Sequence, residues 1–181
     1  MASHPVQLFG KVHLSERQHI VLNAAVFQVA WLACVLGGSW VAVAVTAAVV
    51  ALHLNVVTDT RREALFLAWC AAAGFVCDLA LIQAGVMDTG NHFPPVWLTC
   101  LWVLFGTTVG YALKFFHGRL VLCVAGGFVF APTSYFGGAK LADVMLFEPV
   151  WAALLIIALT WAVVFPLLIH LYTVNKIKPA H

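Results

Sequence analysis

The chain has 181 residues, of which 64% are hydrophobic and only 9% charged, and its mean hydropathy is +1.01. A soluble domain is about a quarter charged and under half apolar, so a water-soluble fold is excluded and the chain must be solvated by lipid. The formal net charge of +2 is too small to point to nucleic acid.

A spanning helix needs about 20 mostly apolar residues. After an N-terminal segment at 1–18, six runs qualify: about 19–37, 39–57, 63–86, 95–115, 119–139 and 149–172, followed by a tail at 173–181. The first run lacks a clean small-residue cleavage site and reads as a retained helix. Short breaks separate the runs, among them Gly37-Gly38-Ser39, Thr58 to Arg62, Asp88 to Asn91 and His117-Gly118. Sequence neighbours should therefore pack as antiparallel hairpins, with no room for a soluble domain. The fold class is all-α, a polytopic six-helix bundle. Lys and Arg favour cytoplasmic loops. With the N-terminus inside, eight of the nine basic residues are cytoplasmic and only Lys140 is outside. Both ends are then expected in the cytoplasm.

In the first run, Asn23, Gln28 and Trp31 interrupt the hydrocarbon. Gln28 and Trp31 fall on one helical face. An amide here either binds a neighbouring helix or forms the polar wall of a pocket. In the second run His53, like His170 in the sixth, falls near an inner helix end and reads as interfacial. The third run carries Asp78 beyond its midpoint. An intramembrane acid is costly and by default marks a site, the alternative being a structural acid held by a neighbour's hydroxyl or indole. Cys70, Gly74, Cys77, Asp78, Leu81 and Gly85 share one side of that helix, mostly small and suited to close packing.

The fourth run opens on Pro94-Pro95, as suits a first helical turn. Trp97 is placed near the outer interface and Trp102 deeper. Gly106 and Gly110 form a GxxxG pair, and Thr107 and Thr108 are expected to bond back to their own helix. In the fifth run Gly126, Thr133, Gly137 and Lys140 form one stripe, with Pro132 and Tyr135 beside it. From Arg119 to Lys140 a continuous helix would measure about 31 Å, enough to span. Pro132 would kink it, and Gly137-Gly138 would let it fray.

These residues predict a polar, aromatic, outward-opening cavity lined by Gln28, Trp31, Asp78, Trp97, Trp102, Thr133, Tyr135 and Lys140. Asn23, Gly74, Gly106, Gly110, Thr108, Gly126, Pro132 and Gly137 are assigned to helix packing. The five cysteines lie in apolar runs without CxxC spacing, and they read as small buried residues. No metal-ligand spacing, diiron Glu-x-x-His pair, nucleotide loop or GxSxG elbow occurs, so no metal and no cofactor are expected.

The stretches VLNAAVFQVAWLACVLGG, PPVWLTCLWVLFGTTVGYALKFF and GGFVFAPTSYFGGAKL, with Asp78 between them, resemble a small bacterial inner-membrane family known only as domain of unknown function 2878. The resemblance runs from about Val21 to Tyr172 and maps onto Asn23, Gln28, Trp31, Asp78, Trp97, Trp102, Thr108, Pro132 and Tyr135. It implies a multi-pass protein of the bacterial cytoplasmic membrane but no catalytic roles. By association it implies the company of fatty-acyl methyltransferases of the cyclopropane-synthase type and of flavin oxidoreductases. Three functions follow. The first is an accessory factor in membrane-lipid or fatty-acid modification, holding a lipid or a lipid-modifying enzyme partner. The second is a small carrier using Asp78, where a homo-oligomer would complete the pathway. The third is an intramembrane lipid-modifying enzyme with Asp78 as general acid or base.

Overall fold

In hydrocarbon every backbone polar group must be satisfied within its own segment, which makes helices of these runs. The computed structural model describes residues 6–8 and 12–177. It contains five α-helices: α1 (Glu16–Val56), α2 (Thr60–Gln83), α3 (Val96–Val109), α4 (Leu120–Leu141) and α5 (Val150–Ile177). A short antiparallel pair, β1 (Val6–Leu8) with β2 (Val12–Leu14), precedes them. The sequence predicts six spanning helices. The structure has four helices long and apolar enough to cross a membrane, namely α1, α2, α4 and α5. Two local features account for the difference.

The first feature is that α1 joins the first two apolar runs. It starts on a reciprocal cap, in which Gln18 N–H donates to Ser15 Oγ and Ser15 N–H donates to Gln18 Oε1. It breaks at Gly38, whose φ of 68° and ψ of −171° lie outside helical space. Ala30, Cys34 and Ala42 share a cluster with Cys100 and Leu104, and Val45 and Val49 pack against it. A straight helix would hold residues 30 and 49 about 28 Å apart. The chain therefore folds back at Gly38. Asn23 and His53 consequently meet the same end of α3. Asn23 Nδ2 donates to the Thr107 carbonyl, and the His53 ring lies 5.9 Å from that of Tyr111.

The second feature is that α3 has only 14 residues and stops at Val109, short of the expected 115. Gly110 begins a turn in which Tyr111 N–H and Leu113 N–H both donate to the Thr108 carbonyl, leading into a 3-10 turn at Lys114–Phe116. By contrast, α4 runs unbroken through Pro132, Gly137 and Gly138 to Leu141. A fray at the two glycines does not occur. Thr133 Oγ donates to the Val129 carbonyl, beside the hydrogen bond that Pro132 cannot make.

Helix α1 packs mainly on α3, and α4 on α5, while α2 contacts α3 and more lightly α5; α1 and α4 barely approach each other. Lipid offers little hydrophobic drive between helices, so close fit carries the packing. A side chain at Gly127 would overlap the Trp161 backbone carbonyl, and one at Gly74 would overlap the Trp102 indole. At the end opposite Asn23 and His53, β3 (Met87–Asp88) pairs antiparallel with β4 (Met145–Leu146), tying the loop after α2 to the loop after α4.

Candidate functional site

Asp78 is fully buried. Trp102 Nε1–H donates to its Oδ2 at 2.8 Å and Tyr135 O–H to its Oδ1 at 2.5 Å. Both oxygens are thus occupied by neutral donors from α3 and α4, and no cation pairs with Asp78 among the described residues. Trp102 seats on Gly74, one turn before Asp78, and stacks on Trp161 of α5 with ring centroids 4.4 Å apart. The stripe at 70, 74, 78 and 81 is buried, as helical spacing dictates; Cys77 is half-buried and Gly85 lies past the helix end.

Beside this cluster a cavity of about 530 Å³ opens between α1 and α4, with α3 and α5 behind it. Ligand pockets commonly fall between about 300 and 1,000 Å³. The cavity is lined by Gln28, Trp31, Trp97, Trp102 and Tyr135 together with Phe27, Phe105, Phe130, Ser134, Trp161 and Phe165. Its wall is overwhelmingly hydrocarbon and aromatic, whereas the sequence predicts a wall both polar and aromatic. Asp78 does not line it, because Trp102 and Tyr135 stand in front. Thr133 and Lys140 do not line it either. Both are exposed on another side of α4, where Thr133 bonds back to its own helix and the Lys140 ammonium lies 5.6 Å from the Phe136 ring. Ser134, one residue on from Thr133, lines the cavity instead.

The residues assigned to packing are spread along the bundle. Asn23 clamps the end of α3, donating to the Thr107 carbonyl and accepting from Ala112 N–H. The Thr107 and Thr108 hydroxyls donate to Leu104 and Phe105 carbonyls at 2.6 Å each. Gly106 receives Leu67 and Cys70, Gly110 the Tyr172 hydroxyl, Gly126 the rings of Phe116 and Phe165, and Gly137 the Trp31 indole. The cysteines are all free, four of them buried and Cys77 half-buried.

A second buried cluster escapes the sequence reading. Glu63, in the first turn of α2, accepts from the Tyr172 hydroxyl at 2.7 Å, and His53 Nε2 lies 3.3 Å from its other oxygen. Arg62 donates to the Tyr172 carbonyl at 3.0 Å and covers the Tyr172 ring. His53, in the last turn of α1, is thus buried within the bundle, while His170 is exposed. The signal was present. The Asp78 stripe continues at helical spacing through Cys70 and Leu67 to Glu63.

The family model described as "Protein of unknown function (DUF2878)" matches residues 20–167. The chain belongs to this family. Neither the comparison with curated proteins nor that with solved structures finds a match. The match covers every helix that builds the cavity, from α1 to Trp161 and Phe165 of α5.

Proposed function

We propose that this is a multi-pass protein of the bacterial cytoplasmic membrane whose cleft between α1 and α4 holds a long hydrocarbon chain. In this reading it acts as an accessory factor in membrane-lipid or fatty-acid modification, presenting a lipid to a partner enzyme. The observation that carries the reading is the aromatic, hydrocarbon-walled cavity. Its α4 wall runs from Gly126 to Ala139, about 20 Å of helix. One leaflet's hydrocarbon is about 15 Å thick, so the cleft suits a single extended acyl chain.

Six crossings with both ends cytoplasmic complete the proposal. The two halves of α1 count as two crossings, and α3 with the turn after it counts as one. The positive-inside bias supports this orientation. The carrier and enzyme readings both need Asp78 to meet a substrate. Both its oxygens are occupied and it stands behind the cavity wall, so lipid holding is preferred.

Photolabelling with a diazirine-bearing stearate tests the reading on the purified protein in nanodiscs. Saturable labelling on Phe27, Trp31 or Phe130, competed by unlabelled stearate and reduced at least tenfold by Gly138→Phe, is expected. Labelling that never saturates and spreads evenly over lipid-facing side chains would overturn it.

A further inference from the structure

Besides the Trp161 indole N–H, the side chains of Gln28 and Ser134 face this apolar cleft without a hydrogen-bond partner. Gln28 of α1 and Ser134 of α4 both line the cavity, both are exposed, and neither makes a hydrogen bond among the described residues. Several polar groups nearby are bonded within the bundle: Asn23 bonds α3 and the following turn, and the Thr133 and Thr108 hydroxyls bond back to carbonyls of their own helices. An amide left bare in hydrocarbon is costly, which makes Gln28 in particular a group awaiting a partner.

A count of helical rise brings the two groups to about one level. Trp31 reaches Gly137 and Gly138 across the cleft. The first half of α1 and the whole of α4 run in the same direction, from the Asn23 end towards the β3–β4 end. Three residues back from that contact, Gln28 comes level with Ser134 and Tyr135. Ser134 stands about 12 Å along the helix from Gly126 and about 8 Å from Ala139. Hydrocarbon wall therefore continues on both sides of the polar pair.

We infer that Gln28 and Ser134 recognise a hydrogen-bond-accepting oxygen borne within the length of a long acyl chain, so that the cleft selects a mid-chain-oxygenated fatty acyl group over a plain one. The Gln28 amide N–H and the Ser134 hydroxyl donate to that oxygen, and the aromatic walls take the hydrocarbon above and below. A terminal carboxylate does not fit the pair, because it would leave one end of the cleft empty and carry a charge to mid-depth.

This inference rests on the lipid-holding reading, and the test separates the two. Competition against the diazirine stearate is measured with plain stearate and with mid-chain ketostearate, whose ketone accepts but cannot donate. The ketone should compete about fivefold to tenfold more strongly, as one or two net hydrogen bonds allow. In Gln28→Leu with Ser134→Ala that preference, taken as the ketostearate-to-stearate ratio within the same protein so that any change in stearate binding cancels, should fall to within about twofold. Equal competition by the two chains in the wild-type protein, or an undiminished preference in the double variant, overturns the inference and leaves lipid holding intact. Absence of saturable labelling by any chain overturns both.

Discussion

Helix α2 carries two buried carboxylates, and they are built alike. Asp78 accepts from Tyr135 and Trp102; Glu63 accepts from Tyr172 and lies against His53. They are fifteen residues apart on one face, about 22 Å along the helix. The surroundings differ. Glu63 lies one turn from the helix start, where Arg62 covers the same tyrosine and Asp59 caps the helix by accepting from Arg62 N–H. Asp78 has neutral donors only, and both donors are wall residues of the cleft. One motif thus does two things. At Glu63 it ties three helix ends together, and at Asp78 it fixes the cleft wall from behind.

The strongest way to break this comparison is Asp78→Leu. It leaves the Trp102 indole N–H and the Tyr135 hydroxyl without an acceptor inside the bundle. Each buried donor left unsatisfied typically costs about 1–3 kcal/mol, and two are left here. Unfolding in detergent micelles should register that loss, and cleft labelling should fall with it. A variant as stable as the wild type would mean that Asp78 holds nothing.

Next in size is Gly127→Ala. Its methyl group would overlap the Trp161 carbonyl, so α4 must move off α5, at about 1–3 kcal/mol for overpacking. Because Tyr135 rides on α4 and Tyr172 does not, this change should disturb the Asp78 cluster and spare Glu63. Labelling of the cleft should drop while the Tyr172 environment, read by its ring resonances, stays put.

Glu63→Gln should be milder. The amide still accepts from Tyr172, and the expected loss is about 1–2 kcal/mol. Stearate labelling should be unchanged. If labelling falls as far as with Asp78→Leu, the two carboxylates do the same work and the distinction drawn above fails. The smallest effect belongs to Lys114→Ala. Its exposed pair with Glu16, at 2.6 Å, lies at the Glu63 end of the bundle. Such pairs contribute little, so the unfolding midpoint should not move beyond experimental error.

Much of this was legible in the sequence because lipid makes composition decisive. The apolar runs located the helices, and the stripe from Cys70 to Leu81 gave the buried face of α2. What stayed hidden depends on the third dimension. Nothing local says that Trp102 and Tyr135 turn to Asp78 and shut it off from the cavity. Nor does spacing tell Thr133 from Ser134, which differ by one step around α4 and so by which side of the helix they occupy. The phenylalanines of the wall were hidden for another reason. Phe27, Phe105 and Phe165 look the same in sequence whether they face a cavity or bulk lipid. Gly38 was read as a break between two helices and is one, though the reversal itself rests on contacts between Ala30, Ala42 and Leu104 that no window of sequence contains.

The most direct test of the central claim is native mass spectrometry of the protein released from native membranes in a mild detergent. A lipid-holding cleft predicts one long-chain lipid retained per protein chain in the wild type and lost in Gly138→Phe, with the bundle still folded. A wild-type spectrum showing only the bare chain, or the same retained mass in both proteins, would contradict it.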